Sequence, residues 1–257
     1  MTPESTIDIH NLDPKDVLRE GAFEEYDEGM GFFFSELVDL NIIIYLAEQI
    51  VAFPFDLFAS RDNQTFFSVV MASFCDSAIL TITRLATDQK GDLFTLARFK
   101  NKVRDLVKEE YRKPFELRLK EARFDNQAEG LLAKARDLRD HRIEHTTRGE
   151  FIAGNIKLFR PNISDLKELR DALNRLLDAL AFNVEYGMLP IHYNRHSLRK
   201  NEKTDIEEIL DGIAKNSHYS NLPENNPERW KYRRPHLNVE DLEALNYYRR
   251  KFNLPEA

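Results

Sequence analysis

The spacing of apolar residues along the chain predicts a protein built from long helices. From Phe32 to Phe53 apolar residues recur at intervals of three and four, the period of an amphipathic helix, and Pro54 ends the segment. A second segment, from about Asn63 to Ala86, is apolar around most of its circumference, which predicts a central place in a bundle. Asp76 inside it needs a polar partner.

More polar helical patterns follow. Residues 93 to 124 predict one or two basic helices with a break or restart near Pro114, and residues 127 to 147 predict another helix before Gly149. Ser164 is placed to cap the next helix, which has one apolar stripe: Leu166, Leu169, Leu173, Leu176, Leu177 and Leu180. Beyond residue 190 short helices are expected at 204 to 215 and 239 to 252.

The composition agrees with an all-α, intracellular protein. Glycine (9 residues) and proline (10 residues) are too scarce for a turn-rich β-sandwich or barrel. Cys75 is the single cysteine, so disulfides within the chain and all-cysteine zinc sites are excluded, and we expect it to be a small core residue in a cytoplasmic protein. Glu48 and Pro54 interrupt the longest apolar run, so no membrane partner is expected.

Charge is distributed unevenly along the chain. The net charge is -7, and residues 1 to 30 hold two basic residues, Lys15 and Arg19, against nine acidic ones. We therefore predict a flexible or loosely docked acidic N-terminal arm (1–27), a helical bundle (28–190) and a C-terminal extension (191–257). Residues 98 to 148 hold 15 Lys and Arg against 10 Asp and Glu, a local excess that fits either a solvated helix face or an anionic partner.

The segment from Arg136 to Arg148, RDLRDHRIEHTTR, concentrates guanidinium and imidazole groups at a helix end. On a helical wheel Leu131, Leu132, Ala135, Leu138 and Ile143 form one apolar face. Arg139 and Arg142 point into that face, and His145 lies at its rim. Because a guanidinium stays charged and is costly to bury alone, these arginines must meet carboxylates, a phosphate or a wet groove between subunits.

This arrangement suits phosphate chemistry. A histidine with a pKa near 6.5 can take a proton from a ribose 2′-hydroxyl or give one to a leaving oxygen, and an arginine can stabilise the charge on the phosphorus centre. Two copies across a twofold interface would supply two histidines, so neither a metal nor another cofactor is needed. Arg136, Arg142 and Arg148 are candidates to bind the RNA backbone, and the basic run from Arg98 to Arg123 would steer it.

The string Arg139-Asp140-x4-His145, on the third long helix of a predicted four-helix bundle, resembles the motif of the HEPN superfamily. That motif is an arginine, a polar residue and then a histidine after four to six intervening positions. The apolar second helix and the RDHRIEHTTR string are similar to the branch named after an abortive-infection protein of type U. The resemblance covers roughly residues 28 to 190.

The resemblance implies a homodimer that joins through its motif helices and cleaves RNA without metal, in phage defence or as a toxin. It assigns catalysis to Arg139, Asp140 and His145. RNA is the expected substrate, and an antitoxin or sensor protein is a further candidate partner. Some members of the superfamily bind without cutting, so a non-catalytic RNA- or protein-binding module is the alternative function.

Two other interpretations of the same string remain. His141-x-x-Glu144-His145 has the order of inverted zinc peptidases, although the nearby arginines would repel a dication. Alternatively, Arg139 pairs with a buried carboxylate such as Asp76, and His145 caps a helix C-terminus. A binding scaffold would then be the function.

Overall fold

The computed structural model describes residues 8–58, 61–86, 94–139, 162–182, 203–216 and 239–253. Within these ranges the chain is helical without β-strands, which confirms the predicted all-α fold. The helices are α1 (Pro14–Val17), α2 (Phe23–Ala52), α3 (Phe55–Phe58), α4 (Arg61–Ala86), α5 (Leu96–Leu106), α6 (Glu109–Glu121), α7 (Phe124–Arg139), α8 (Ile163–Asp178), α9 (Asp205–Asn216) and α10 (Val239–Lys251).

The long helices follow the predicted pattern, although α7 begins at Phe124, three residues before its predicted start, and a larger difference occurs at the start of α2. This helix begins at Phe23, nine residues before the predicted start. Tyr26 and Met30 continue its buried stripe through that extra length. The acidic Glu24 and Glu25 lie in its first turn, where their negative charge interacts favourably with the positive end of the helix dipole. Helices α4, α9 and α10 begin and end within two residues of their predicted bounds.

The break predicted near Pro114 is wrong. Pro114 lies inside α6, where it removes one hydrogen bond near the helix start without ending the helix. The basic segment is instead divided at Val107. Here Arg19 N–H donates to the Leu106 carbonyl (2.8 Å) and Lys108 N–H donates to the Val17 carbonyl (2.9 Å). The backbone of residues 106–108 is therefore engaged by the N-terminal arm.

Those contacts also change the description of the acidic arm. The part of the arm that precedes α2, residues 8–22, is packed, because Val17 and Leu18 are fully buried. An isolated antiparallel bridge pairs Leu18 with Val107. The expectation of a flexible or loosely docked arm therefore does not hold for these residues: apolar side chains between the acidic ones anchor it.

The cap predicted at Ser164 is also wrong. Asn162 has the extended backbone of an N-cap residue, and its Oδ1 accepts a hydrogen bond from the Ser164 N–H at 3.2 Å. The predicted leucine stripe that follows is confirmed, and all six of its leucines are buried.

The chain divides into two compact units. The first comprises Met1–Tyr45 and Phe74–Asn194, and the second comprises Leu46–Ser73 and Arg195–Ala257. In the first unit polar contacts join neighbouring long helices in register. These contacts are Arg84 to Glu36 (α4 to α2), Thr83 Oγ1 to the Ala135 carbonyl (α4 to α7, 3.4 Å) and Lys134 to Glu168 (α7 to α8, 2.5 Å).

Helices α7 and α8 run in opposite directions. Arg118, shortly before the start of α7, donates to the carbonyls of Asp178 and Ala181 at the end of α8. Lys134, near the end of α7, contacts Glu168, near the start of α8. The C-terminal end of α7 therefore lies beside the N-terminal end of α8.

Helix α2 also runs opposite to α8. The Tyr26 hydroxyl, near the start of α2, donates to the Leu180 carbonyl and accepts from the Phe182 N–H, both at 3.2 Å, just after α8 ends. Helices α2 and α7 are therefore parallel to each other. Helix α4 runs opposite to both, because Phe67 near its start lies 4.7 Å from Phe55, just after α2 ends, and Arg84 near its end contacts Glu36 in the middle of α2. The four long helices therefore have the up-down-up-down order of a four-helix bundle.

The second unit has an aromatic core and a buried carboxylate. The ring of Tyr248 lies 5.6 Å from that of Phe53 and 5.1 Å from that of Phe58. Asp211 accepts hydrogen bonds from Lys203 and Lys251, both at 2.6 Å. Burial, together with the negative charge of Asp211, raises the pKa of Tyr248 to about 12.

Two helices are long and apolar enough to cross a membrane by length and composition. They are Phe23–Ala52 (mean hydropathy 1.6, 39% buried) and Thr65–Ala86 (mean hydropathy 1.7, 28% buried). Core helices of globular proteins share these properties, and both helices contribute buried residues to the first unit. The absence of a membrane partner stays a prediction.

Candidate functional site

The described part of α7 presents the predicted apolar face to the bundle. Leu131 and Ala135 are buried, and the Ala135 carbonyl accepts the hydroxyl hydrogen bond from Thr83. Leu132 is half-buried. The helical wheel therefore placed the start of this face correctly. Contacts with Thr83 of α4 and with Glu168 of α8 hold α7 in this orientation.

Arg139 is the last described residue of α7, and it is half-buried. The inward direction expected from the wheel stays a prediction. Arg136, three residues earlier, is exposed. Two guanidinium groups thus lie one helical turn apart at this end of α7, and they differ in their access to solvent.

The other site residues expected from the sequence lie outside the described residues. These are Asp140, Arg142, His145 and Arg148, together with His141 and Glu144 of the alternative zinc motif. Among the described residues no group of three His, Cys, Asp or Glu side chains could hold a metal ion. The residues of the zinc motif lie outside this part of the chain, so the zinc interpretation stays a hypothesis.

The neighbourhood of Arg139 includes the N-terminal end of α8. Because α7 and α8 are antiparallel, Arg139 lies at the same end of the bundle as Asn162 and the first turn of α8. The unpaired backbone N–H groups of a helix N-terminus carry partial positive charge, as does the macrodipole that ends there. Asp165 in the first turn offsets part of this charge.

Several cations of the basic run from Arg98 to Arg123 are paired with other groups of the protein. Its cations pair with carboxylates or carbonyl groups, and these contacts are Lys100 to Asp125, Lys102 to Glu25, Arg104 to Glu116, Arg112 to Glu109 and Arg118 to Ala181. The expectation that this run steers RNA stays a prediction. For these residues the structure favours the simpler interpretation of a charged helix surface.

The alternative pairing of Arg139 with Asp76 stays a hypothesis. Both residues are half-buried, and each takes part in a polar or electrostatic interaction. Asp76 precedes Thr83 on α4, which runs opposite to α7, so it lies towards the Arg139 end of the bundle. The fold thus places a carboxylate towards the end of the bundle that holds Arg139, and a carboxylate is one of the partners that the sequence allows for it.

The sequence analysis did not identify one buried polar residue of the bundle. Asn41 lies on the core face of α2 and is 4% exposed. The signal was in the sequence, since Asn41 alone is polar and hydrogen-bonding in the run Leu40-Asn41-Ile42-Ile43-Ile44. A search for motifs passes over such a residue, because a single amide matches no spacing rule.

Comparison with known proteins gives one match. No curated protein and no solved structure matched the chain. The family model HEPN_AbiU2, described as AbiU2, matches residues 32–206. This segment extends from α2 into the start of α9 and contains the Arg139-Asp140-x4-His145 string. The match covers more than half of the chain and confirms the resemblance found in the sequence, so the protein belongs to the AbiU2 family of HEPN domains.

Proposed function

We propose that this protein is a metal-independent endoribonuclease of a phage-defence or toxin-antitoxin system, with a composite active site at a homodimer interface in the cytoplasm. One observation carries the proposal. The segment that matches the HEPN_AbiU2 family brackets Arg139-Asp140-x4-His145, with Arg139 at the end of the third long helix of the bundle.

The proposed reaction is an internal transfer at phosphorus. A base removes the proton of the ribose 2′-hydroxyl, and the 2′-oxygen forms a bond to phosphorus. The bond from phosphorus to the 5′-oxygen breaks, and an acid protonates that oxygen. The products are a 2′,3′-cyclic phosphate and a 5′-hydroxyl, and no electrons are gained or lost.

Each residue of the motif has a role in this proposal. His145 is the general base or acid, and its counterpart in the second subunit takes the other role. Arg139 stabilises the charge on the pentacoordinate phosphorus, and Asp140 orients the motif helix or His145. Arg136, Arg142 and Arg148 bind the RNA backbone. The exposure of Arg136 supports this role, because a phosphate contact requires an accessible cation.

Product analysis with matched histidine variants tests the reaction. We expect purified protein to cleave RNA in the presence of EDTA and to leave 2′,3′-cyclic phosphate ends. His145→Ala should abolish cleavage with the fold intact, because a histidine at the rim of the helix contributes little packing. His141→Ala is the matched control and should keep most of the activity. Products with 3′-hydroxyl ends, or loss of activity in both variants and in EDTA, would contradict the proposal.

The same variants separate an enzyme from a binding module. If the protein is a binding module, the wild-type protein binds RNA or another protein but shows no turnover. Its affinity would be little changed by His145→Ala. An enzyme instead shows turnover that depends on His145.

The composite site requires two subunits. We expect a dimer that forms through the helix around residues 127–147, measured by sedimentation at the concentrations of the cleavage assay. A strictly monomeric protein that still cleaves RNA would contradict the composite site.

Toxicity on expression that His145→Ala relieves would support the defence or toxin role. An antitoxin or sensor protein is the partner we propose for control.

A further inference from the structure

Asn41 is a buried amide in the apolar core of the bundle. It lies on α2 between Leu40 and Ile44, which are both fully buried, and is itself 4% exposed. Its Oδ1 accepts no hydrogen bond from any residue in the described part of the chain. A buried acceptor without a donor costs roughly 1–3 kcal/mol, so packing alone does not explain an asparagine at this position.

Two independent routes through the bundle place Asn41 level with the end of α7. The contact of Glu36 with Arg84 and that of Thr83 with Ala135 set residue 36 of α2 level with about residue 134 of α7. Five residues further along two parallel helices, Asn41 is level with Arg139.

The second route passes through α8. Tyr26 contacts the backbone at Leu180, and Glu168 of α8 contacts Lys134 of α7. At the same rise per residue, Asn41 is then level with about residue 137 of α7. The two routes agree to within one helical turn, or about 5 Å.

We propose that Asn41 is a positioning residue for Arg139. Its Oδ1 accepts a hydrogen bond from the guanidinium when a phosphate of the RNA occupies the site. This inference rests on the proposed function, since it assigns to Asn41 a role in binding the same phosphodiester.

The chemistry of the two groups supports this pairing. A guanidinium has five N–H donors in a fixed plane, and a phosphate uses two of them in a bidentate contact. An acceptor on the protein side can hold a remaining N–H and so fix the plane. A neutral amide does this without competing with the phosphate for the positive charge, whereas a carboxylate would. The amide thus adds orientation at the level of Arg139, and the core of α2 holds it there.

Stability and RNA affinity of Asn41→Leu provide the first test. Leucine has the same branching but no acceptor, so the variant should be at least as stable as the wild-type protein in urea. Its affinity for an uncleavable 2′-O-methyl RNA should fall about tenfold, the effect of one hydrogen bond to a charged group. Asn41→Ala should lose affinity to the same extent, which covers the case in which leucine does not fit.

Asn174→Leu is the matched control. Asn174 is 1% exposed on α8, and neither Oδ1 nor Nδ2 has a partner in the described residues. It lies eleven residues after Ile163, about 16 Å along α8 from the Arg139 end of the bundle. We expect Asn174→Leu to match Asn41→Leu in stability and the wild-type protein in RNA affinity.

A double-mutant cycle with Arg139→Met tests whether Asn41 acts through Arg139. In the Arg139→Met background Asn41→Leu should change the RNA affinity less than twofold, because the donor is already gone. An equal loss of RNA affinity in both backgrounds, or no loss in either, would overturn the inference. A wild-type protein that binds but does not cleave RNA overturns only the nuclease proposal, and one that does neither overturns both.

Discussion

At the residue scale, the neighbouring side chains in the bundle decide which residue type fits at a position. Gly29 lies where α2 passes the ring of Phe99, and a Cβ at this position would overlap three ring atoms. Cys75 is buried on α4, which confirms its predicted role as a small core residue. The sequence predicts the burial of Cys75 because its helix is apolar on most sides. It does not predict the need for glycine at position 29, because the aromatic ring that excludes a side chain there belongs to a residue 70 positions later in the sequence.

Gly29→Ala should destabilise the protein. The added methyl group has to displace the Phe99 ring in a packed core, which costs about 1–3 kcal/mol in the free energy of unfolding. Urea unfolding measures this change. Gly31→Ala is the control in the same helix, since its Cβ would meet nothing within 4 Å, and it should gain about 0.5–1 kcal/mol from helix propensity. Equal effects of the two variants would contradict the close approach of α2 to Phe99.

At the scale of elements, α8 is held at both ends by groups that satisfy its backbone. Asn162 caps its start, and the Arg118 guanidinium donates to two carbonyls at its end. Burial lowers the pKa of Arg118, although the Asp178 carboxylate acts in the opposite direction. The leucine stripe predicts that α8 packs in the bundle, but the contact from Arg118 depends on where α6 ends.

Asn162→Ala should lower the free energy of unfolding by about 1 kcal/mol, the usual effect of losing an N-cap side chain. Ser164→Ala is the control, and it should change the stability by less than about 0.5 kcal/mol, because its side chain is exposed within the helix. Thermal unfolding of the two variants measures both effects. The reverse order would restore Ser164 as the cap.

At the scale of the whole molecule, stabilising contacts join segments that are distant in the sequence. In the second unit Asp211 accepts hydrogen bonds from Lys203 before α9 and from Lys251 at the end of α10. Burial alone raises the pKa of the Asp211 carboxyl, but the two lysines outweigh burial, so the pKa lies below its ordinary value. The hydrogen bond with Asp211 raises the pKa of Lys203.

These shifts give a pH window for stability. The contribution of Asp211 is present above its unfolded pKa of 3.8 and is lost as the pH falls through its lower folded pKa. The contribution of Lys203 is present below its unfolded pKa of 10.5 and is lost as the pH rises through its higher folded pKa. We therefore expect the Asp211 cluster to stabilise the protein between these limits.

Asp211→Asn should lower the free energy of unfolding by about 1–3 kcal/mol at neutral pH, because two hydrogen bonds to charged groups lose their ionic partner. Urea unfolding at several pH values should also show a weaker dependence on acid than in the wild-type protein. The control is Glu243→Gln, an exposed carboxylate on α10, which should leave both properties unchanged. A variant with unchanged stability at neutral pH would contradict the role of the cluster.

The sequence by itself determined the helical fold, the leucine stripe of α8 and the family, because these depend on local periodicity and on a short string of residues. Only the tertiary structure decided that the acidic arm is packed, that α6 continues through Pro114, and that Asn41 lies level with Arg139. Each of these depends on contacts between residues far apart in the chain. Helical periodicity determines which face of a helix is buried, whereas the register between helices depends on side chains that meet only after folding.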